Sequence, residues 1–191
     1  MNNYIQVAGM VKDVSFSHEI KRVKIYEGIL SIERLSGVVD SVIFQTWNND
    51  IIPGEFYTIE GELRTIRTES YPRKKTYIKV IRIKRISMPI YFNKVNLIGT
   101  IEHKFPIRST PFGKTICDFV LKVESEHSVA YISTIAWGAT AKQIENLSEG
   151  TSIKIEGRLQ KRYYTRADSQ KTYGVYEVSV CQIFTDDEIK I

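Results

Sequence analysis

The chain has little with which to bind a metal or run a reaction. It holds two cysteines and three histidines in 191 residues. Cys117 and Cys181 lie far apart, and His18, His103 and His127 stand singly, so none reaches metal-ligand spacing. No metal and no cofactor is expected. Gly113-Lys114-Thr115 has the ending of a phosphate-binding loop, but Arg108 stands where that motif needs its leading glycine, so it reads as a loop opening a strand. No serine occupies a nucleophile elbow and no carboxylate pair is spaced for acid–base work, so an enzyme is not expected. No apolar run approaches the ~18 residues of a membrane span. The start, Met1-Asn2-Asn3-Tyr4, lacks the basic region and apolar core of a signal peptide. A reduced cytoplasmic setting without membrane contact is expected, with both thiols serving as small strand hydrophobes.

Long helical patterns are also scarce. What the chain has is β-formers, with 11 Tyr and 8 Phe among abundant Ile and Val, and a mild net charge of +5. It also has a repeat. Gly9, Trp47, Gly54 and Gly61 answer Gly99, Trp137, Gly150 and Gly157, the first two pairs offset by 90 residues (99 − 9) and the last two by 96 (150 − 54). One fold used twice is implied, with an insertion between Trp137 and Gly150.

The second copy reads as three strands (95–101, 117–124, 129–137), a helix over 140–147 ended by Gly150, and two strands (153–159, 175–183), with residues 106–114 a loop. The first repeats the strands over 4–14, 23–33, 38–47, 56–68 and 75–86, with at most one turn where the helix would be. This order predicts an all-β chain with one short helix, built as two tandem OB-fold five-stranded Greek-key barrels. The expected limits are 1–88 for the first domain, 89–92 for a linker, 93–185 for the second domain and 186–191 for a short acidic tail.

Cations interleave with aromatic residues at one place in both copies, the fourth strand and the hairpin after it. The first copy offers Arg64, Arg67, Arg73, Lys74 and Lys75 with Tyr71. The second offers Arg158, Lys161, Arg162, Arg166 and Lys171 with Tyr163 and Tyr164. Each stretch carries a single acid, Glu69 or Asp168. Single-stranded nucleic acid asks for cations to neutralise phosphates and flat rings for unstacked bases. Trp47 and Trp137 each end a third strand. Alternation in the second copy puts Tyr131, Ser133, Ile135 and Trp137 on one face and Ile132, Thr134 and Ala136 on the other, small enough for a barrel interior.

Val95-Asn96-Leu97-Ile98-Gly99, Ala136-Trp137-Gly138 and the glycine-bracketed strand from Gly150 to Gly157, followed by Arg158-Leu159 and Tyr176-Glu177-Val178, resemble the bacterial-type single-stranded DNA-binding protein family. The resemblance implies OB-folds that coat single-stranded DNA without strong sequence preference, with stacking positions at Tyr131, Trp137 and Tyr164. In the first copy Trp47 keeps its place, while Ser41 and Thr68 stand opposite Tyr131 and Tyr164, so Phe44 and Tyr71 become substitute rings. Since family members usually assemble four barrels, two per chain imply a homodimer. The family's acidic tail with a terminal Pro-Phe, which recruits replication and repair proteins, has no counterpart in Asp186-Asp187-Glu188-Ile189-Lys190-Ile191. The expected function is binding and protection of single-stranded DNA in replication, recombination or repair, in the cytoplasm and nucleoid-associated. The alternative is a primosome-like adaptor that binds a replication protein and touches DNA weakly. RNA binding through cold-shock-like surfaces is disfavoured by the glycine pattern.

Overall fold

The computed structural model describes residues 2–68, 71–125, 128–165 and 172–185, with the side chains of residues 67, 68, 71–74, 164, 165 and 173 outside that description. The chain divides into two compact units. One holds Ile5–Asn93 with Gln160–Tyr176, and the other Met1–Tyr4, Lys94–Leu159 and Glu177–Ile191.

In the first of these units the strands are β1 (Asn3–Ile20), β2 (Val23–Glu33), β3 (Val39–Thr46), β4 (Phe56–Thr68) and β5 (Tyr71–Ile86). β1 pairs antiparallel with β2 and β4, β2 with β3, and β4 with β5. β3 then meets β5 in parallel, Phe44 opposite Ile78, and closes the barrel. Period-two alternation puts Val7, Leu30, Phe44, Ile59, Leu63 and Ile78 wholly inside. Each such side chain contributes roughly 1.5–3 kcal/mol by leaving water. Phe44 fills the space over Gly28, where any Cβ would strike its ring, so it is core and not a substitute stacking ring. Its parity, three residues from Trp47, sends it to the opposite face. Residues 48–52 form no helix; Asn48 and Asp50 turn the chain through amide bonds to Thr46 Oγ1 (3.1 Å) and Asn48 Oδ1 (2.8 Å). β1 continues to Ile20 as a two-stranded ribbon with β2, beyond the expected end at residue 14. Arg34, joined to buried Asp40 through both its Nε and Nη2, also donates to Gln160 Oε1 (3.1 Å).

The other unit is built from β6 (Phe92–Lys104), β7 (Arg108–Ser109), β8 (Thr115–Ser125), β9 (Ser128–Trp137), α1 (Ala139–Asn146) and the parts of β10 (Ser152–Thr165) up to Leu159 and of β11 (Thr172–Thr185) from Glu177 on. β6 pairs with β8 and β10, β8 with β9, and β9 with β11 in parallel at Thr134 and Val178. The stretch expected to be all loop, 106–114, contains β7, two residues held against Ile116 and Thr115. α1 ends at Asn146, not at Gly150. Lys104 of β6 receives its C-terminus, donating to the carbonyls of Glu145 (2.6 Å) and Leu147 (2.5 Å), where a cation also suits the helix dipole. Of the two thiols only Cys117 is a strand hydrophobe. Burial pushes its pKa up, while Cys181 points outward and is exposed.

The repeat holds at the level of single hydrogen bonds. Gly54 donates to Val11 O and Gly150 to Ile101 O, each at 2.8 Å; Val11 donates to Glu55 O (3.0 Å) and Ile101 to Thr151 O (2.9 Å). Gly54 and Gly150 take φ of +88° and +87°, a left-handed turn that favours glycine. At Gly61 and Gly157 the reason is space, since a Cβ would collide with the carbonyl oxygens of Lys79 and Ser179. A bulge falls between Val11 and Asp13 and again between Ile101 and His103. Gly61 and Gly157 mark the close backbone approaches that let a short sheet curl shut.

Candidate nucleic-acid interface

The outer face of β8 and β9 carries the second copy's aromatic pair. Ile132, Thr134 and Ala136 are inside as the alternation expects, and Tyr131, Ser133 and Trp137 are half-exposed, but Ile135, expected on their face, is wholly buried. Tyr131 stands opposite Lys122 and Trp137 opposite Ile116. Six residues of strand separate the rings, roughly 20 Å at ~3.3 Å per residue, room for more than one nucleotide. Trp137 is held by its neighbours. Its amide donates to Thr140 Oγ1 (3.1 Å), the same hydroxyl donates to its carbonyl (2.8 Å), and Gly138 donates to Thr115 O (2.8 Å). An open groove of about 530 Å³ lies along the ring, lined by Gly113, Lys114, Thr115, Gly138, Ala139 and Lys142.

The first copy builds a counterpart. Trp47 is 58% exposed and borders a groove of about 480 Å³ with Asn48, Asn49, Ile81 and Arg82. Its candidate phosphate contacts are less available than their number suggests. Arg64 is paired with Glu62, and Lys75 with Glu27 at 2.5 Å, their side chains only 14% and 13% exposed. Glu27 arrives from β2, far from Lys75 in sequence, so the single-acid tally along the hairpin missed it. Arg82 and Arg85 remain largely exposed, though Arg85 meets Glu55 at 2.7 Å. Tyr71, Arg67, Arg73 and Lys74 have side chains outside the described residues.

In the β10–β11 hairpin Tyr163 is 64% exposed, with the Lys161 ammonium 5.0 Å from its ring centre and 5.4 Å from that of Tyr176. Burial opposes the charge of Lys161, but the phenols of Tyr163 and Tyr176 outweigh it and hold its pKa above the ordinary lysine value. Arg158 and Arg162 are half-buried and engaged by other groups. Tyr164 has its side chain, and Arg166 and Lys171 lie wholly, outside the described residues. Tyr131, Trp137 and Arg158 belong to one compact unit, and Trp47, Lys161, Arg162 and Tyr163 to the other. Among the described residues no group of three or more His, Cys, Asp or Glu could hold a metal, and no helix is long and apolar enough to cross a membrane.

Residues 92–184 match the model of the single-strand binding protein family. That stretch is 93 of the 191 residues. It is similar to the single-stranded DNA-binding protein of Bacillus cereus, 29% identical over 42% of this chain and 52% of that one. It is also similar to that of Clostridium tetani, 33% identical over 42% of this chain and 61% of that one. The chain thus spans about half of these relatives' length. Among solved structures, the wild-type single-stranded DNA binding protein from Thermus aquaticus superposes with a TM-score of 0.76. That match covers 96% of this chain and 92% of the other at 16% identity, which extends the shared fold over both OB barrels.

Proposed function

We propose that this protein binds single-stranded DNA without sequence preference, in replication, recombination or repair, and catalyses no reaction. The observation that carries the reading is the half-exposed pair Tyr131 and Trp137 on one barrel face, with two lysines and no carboxylate lining the groove at Trp137. Rings held apart on a rigid strand offer bases a stacking surface at little cost in ordering, and lysines beside them neutralise phosphates. Affinity comes from stacking and charge. Trp47 and its groove give the first barrel a smaller share, its flanking cations partly neutralised by glutamates. We assign the protein to the cytoplasm and nucleoid, as a homodimer with four barrels. A light-scattering mass near twice 22.0 kDa is expected, and a mass of one chain at micromolar concentration contradicts the dimer. Titration with oligo-dT at low salt is expected to quench the tryptophan and tyrosine fluorescence. Log affinity is expected to fall linearly with log salt as counterions are released. Absence of quenching contradicts the function.

A further inference from the structure

The most exposed aromatic ring among the described residues belongs to none of the positions singled out so far. Phe112 is 91% exposed. It sits on the turn between β7 and β8, immediately before Gly113, Lys114 and Thr115, the wall of the Trp137 groove. This is the segment whose sequence imitates the end of a phosphate-binding loop. Its backbone is fixed: Thr110 donates to Lys114 O (2.8 Å), Gly113 to Thr110 O (2.9 Å), and the Lys114 amide to Thr110 Oγ1 (3.1 Å). Gly113 takes a φ of +72°, which the tight turn requires. A ring on a rigid, solvent-facing turn has no packing role, because no part of the barrel covers it.

Lys114 and Lys142 of α1 both line the groove together with Trp137. Opposite-sign company is missing from the lining, in contrast to Arg64 and Lys75 in the first copy. We propose that Phe112, Lys114 and Lys142 extend the interface past Trp137, so that the strand leaving that ring runs through the groove. There its phosphates meet the two ammonium groups, and a further base stacks on Phe112. The occupant is single-stranded DNA, favoured by the charge of the lining and by continuity with Trp137. The inference rests on the function proposed above. The first copy has no such ring: Arg22 stands 90 residues before Phe112, on the β1–β2 turn.

The test uses the full chain and a labelled 20-nucleotide oligo-dT followed by anisotropy, so that loss of a protein ring does not alter the signal. F112A is expected to weaken binding about ten-fold, within the range for one stacked base. K114Q/K142Q is expected to flatten the plot of log affinity against log salt by about 1.4, two contacts at ~0.7 each for single strands. Leu35→Ala, an exposed apolar residue on a turn of the other unit, serves as the control and is expected to change neither. If the unaltered protein binds the oligonucleotide while F112A stays within two-fold and the double variant keeps its slope, the extended path is wrong and the function stands. If the unaltered protein does not bind, both fall.

Discussion

Replacing Tyr131 and Trp137 together by alanine is expected to weaken oligo-dT binding by about a hundred-fold or more. A base stacked on an aromatic side chain contributes about 1–3 kcal/mol, and two such contacts are removed. Tyr131 and Trp137 share a face but not a neighbour, roughly 20 Å apart along β9, so their losses should add. Trp47→Ala alone, in the barrel where Arg64 and Lys75 are already paired with glutamates, is expected to cost no more than about ten-fold. Anisotropy with the same oligonucleotide measures all three proteins, and far-UV circular dichroism checks that each is folded. A larger loss from Trp47→Ala than from the double variant would reverse the assignment of the two barrels.

The second large effect concerns the fold. Gly157→Ala is expected to destabilise its barrel by about 3 kcal/mol, the upper part of the range for an overpacked core. The added Cβ meets the Ser179 carbonyl oxygen, a backbone atom that can yield only by opening the β10–β11 pairing. For a barrel of this size such a loss lowers the melting temperature by roughly 10–20 °C. Gly61→Ala should act alike, since its Cβ meets the Lys79 carbonyl. Leu35→Ala on the surface gives the reference for a harmless change. Scanning calorimetry decides it, and a shift of only a degree or two for Gly157→Ala would mean that the close approach does not constrain the barrel.

These effects explain why so much of the fold was legible. Gly61 and Gly157 recur because a backbone needs them, and a backbone requirement survives when side chains diverge. The parity of Tyr131, Ser133 and Trp137 was equally plain, since a strand has only two faces, although Ile135 between them is buried. Phe44 obeyed the same rule and could have been placed by counting from Trp47. The electrostatics were not legible. Glu27 lies 48 residues from Lys75 and meets it only because β2, β3 and β5 lie side by side. Counting acids along the hairpin therefore overstated its free charge. The division into units was hidden as well: Gln160–Tyr176 groups with Ile5–Asn93, and Arg34 reaches Gln160 there. Cutting the chain near residue 89 would take that hairpin from its unit, so substitutions in the full chain are the sounder way to apportion binding. Phe112 escaped notice because one aromatic residue in a loop has no periodicity to flag it.

The central claim is that this surface is made for unpaired bases. Competition between a labelled oligo-dT and an unlabelled duplex of equal length, at one salt concentration, tests it most directly. Stacking on Tyr131 and Trp137 requires bases that are free of a partner, whereas charge alone attracts either form. The expected result is that duplex displaces the single strand only at a hundred-fold excess or more. Displacement at equal concentrations would reduce the interface to a generic basic surface and contradict the account.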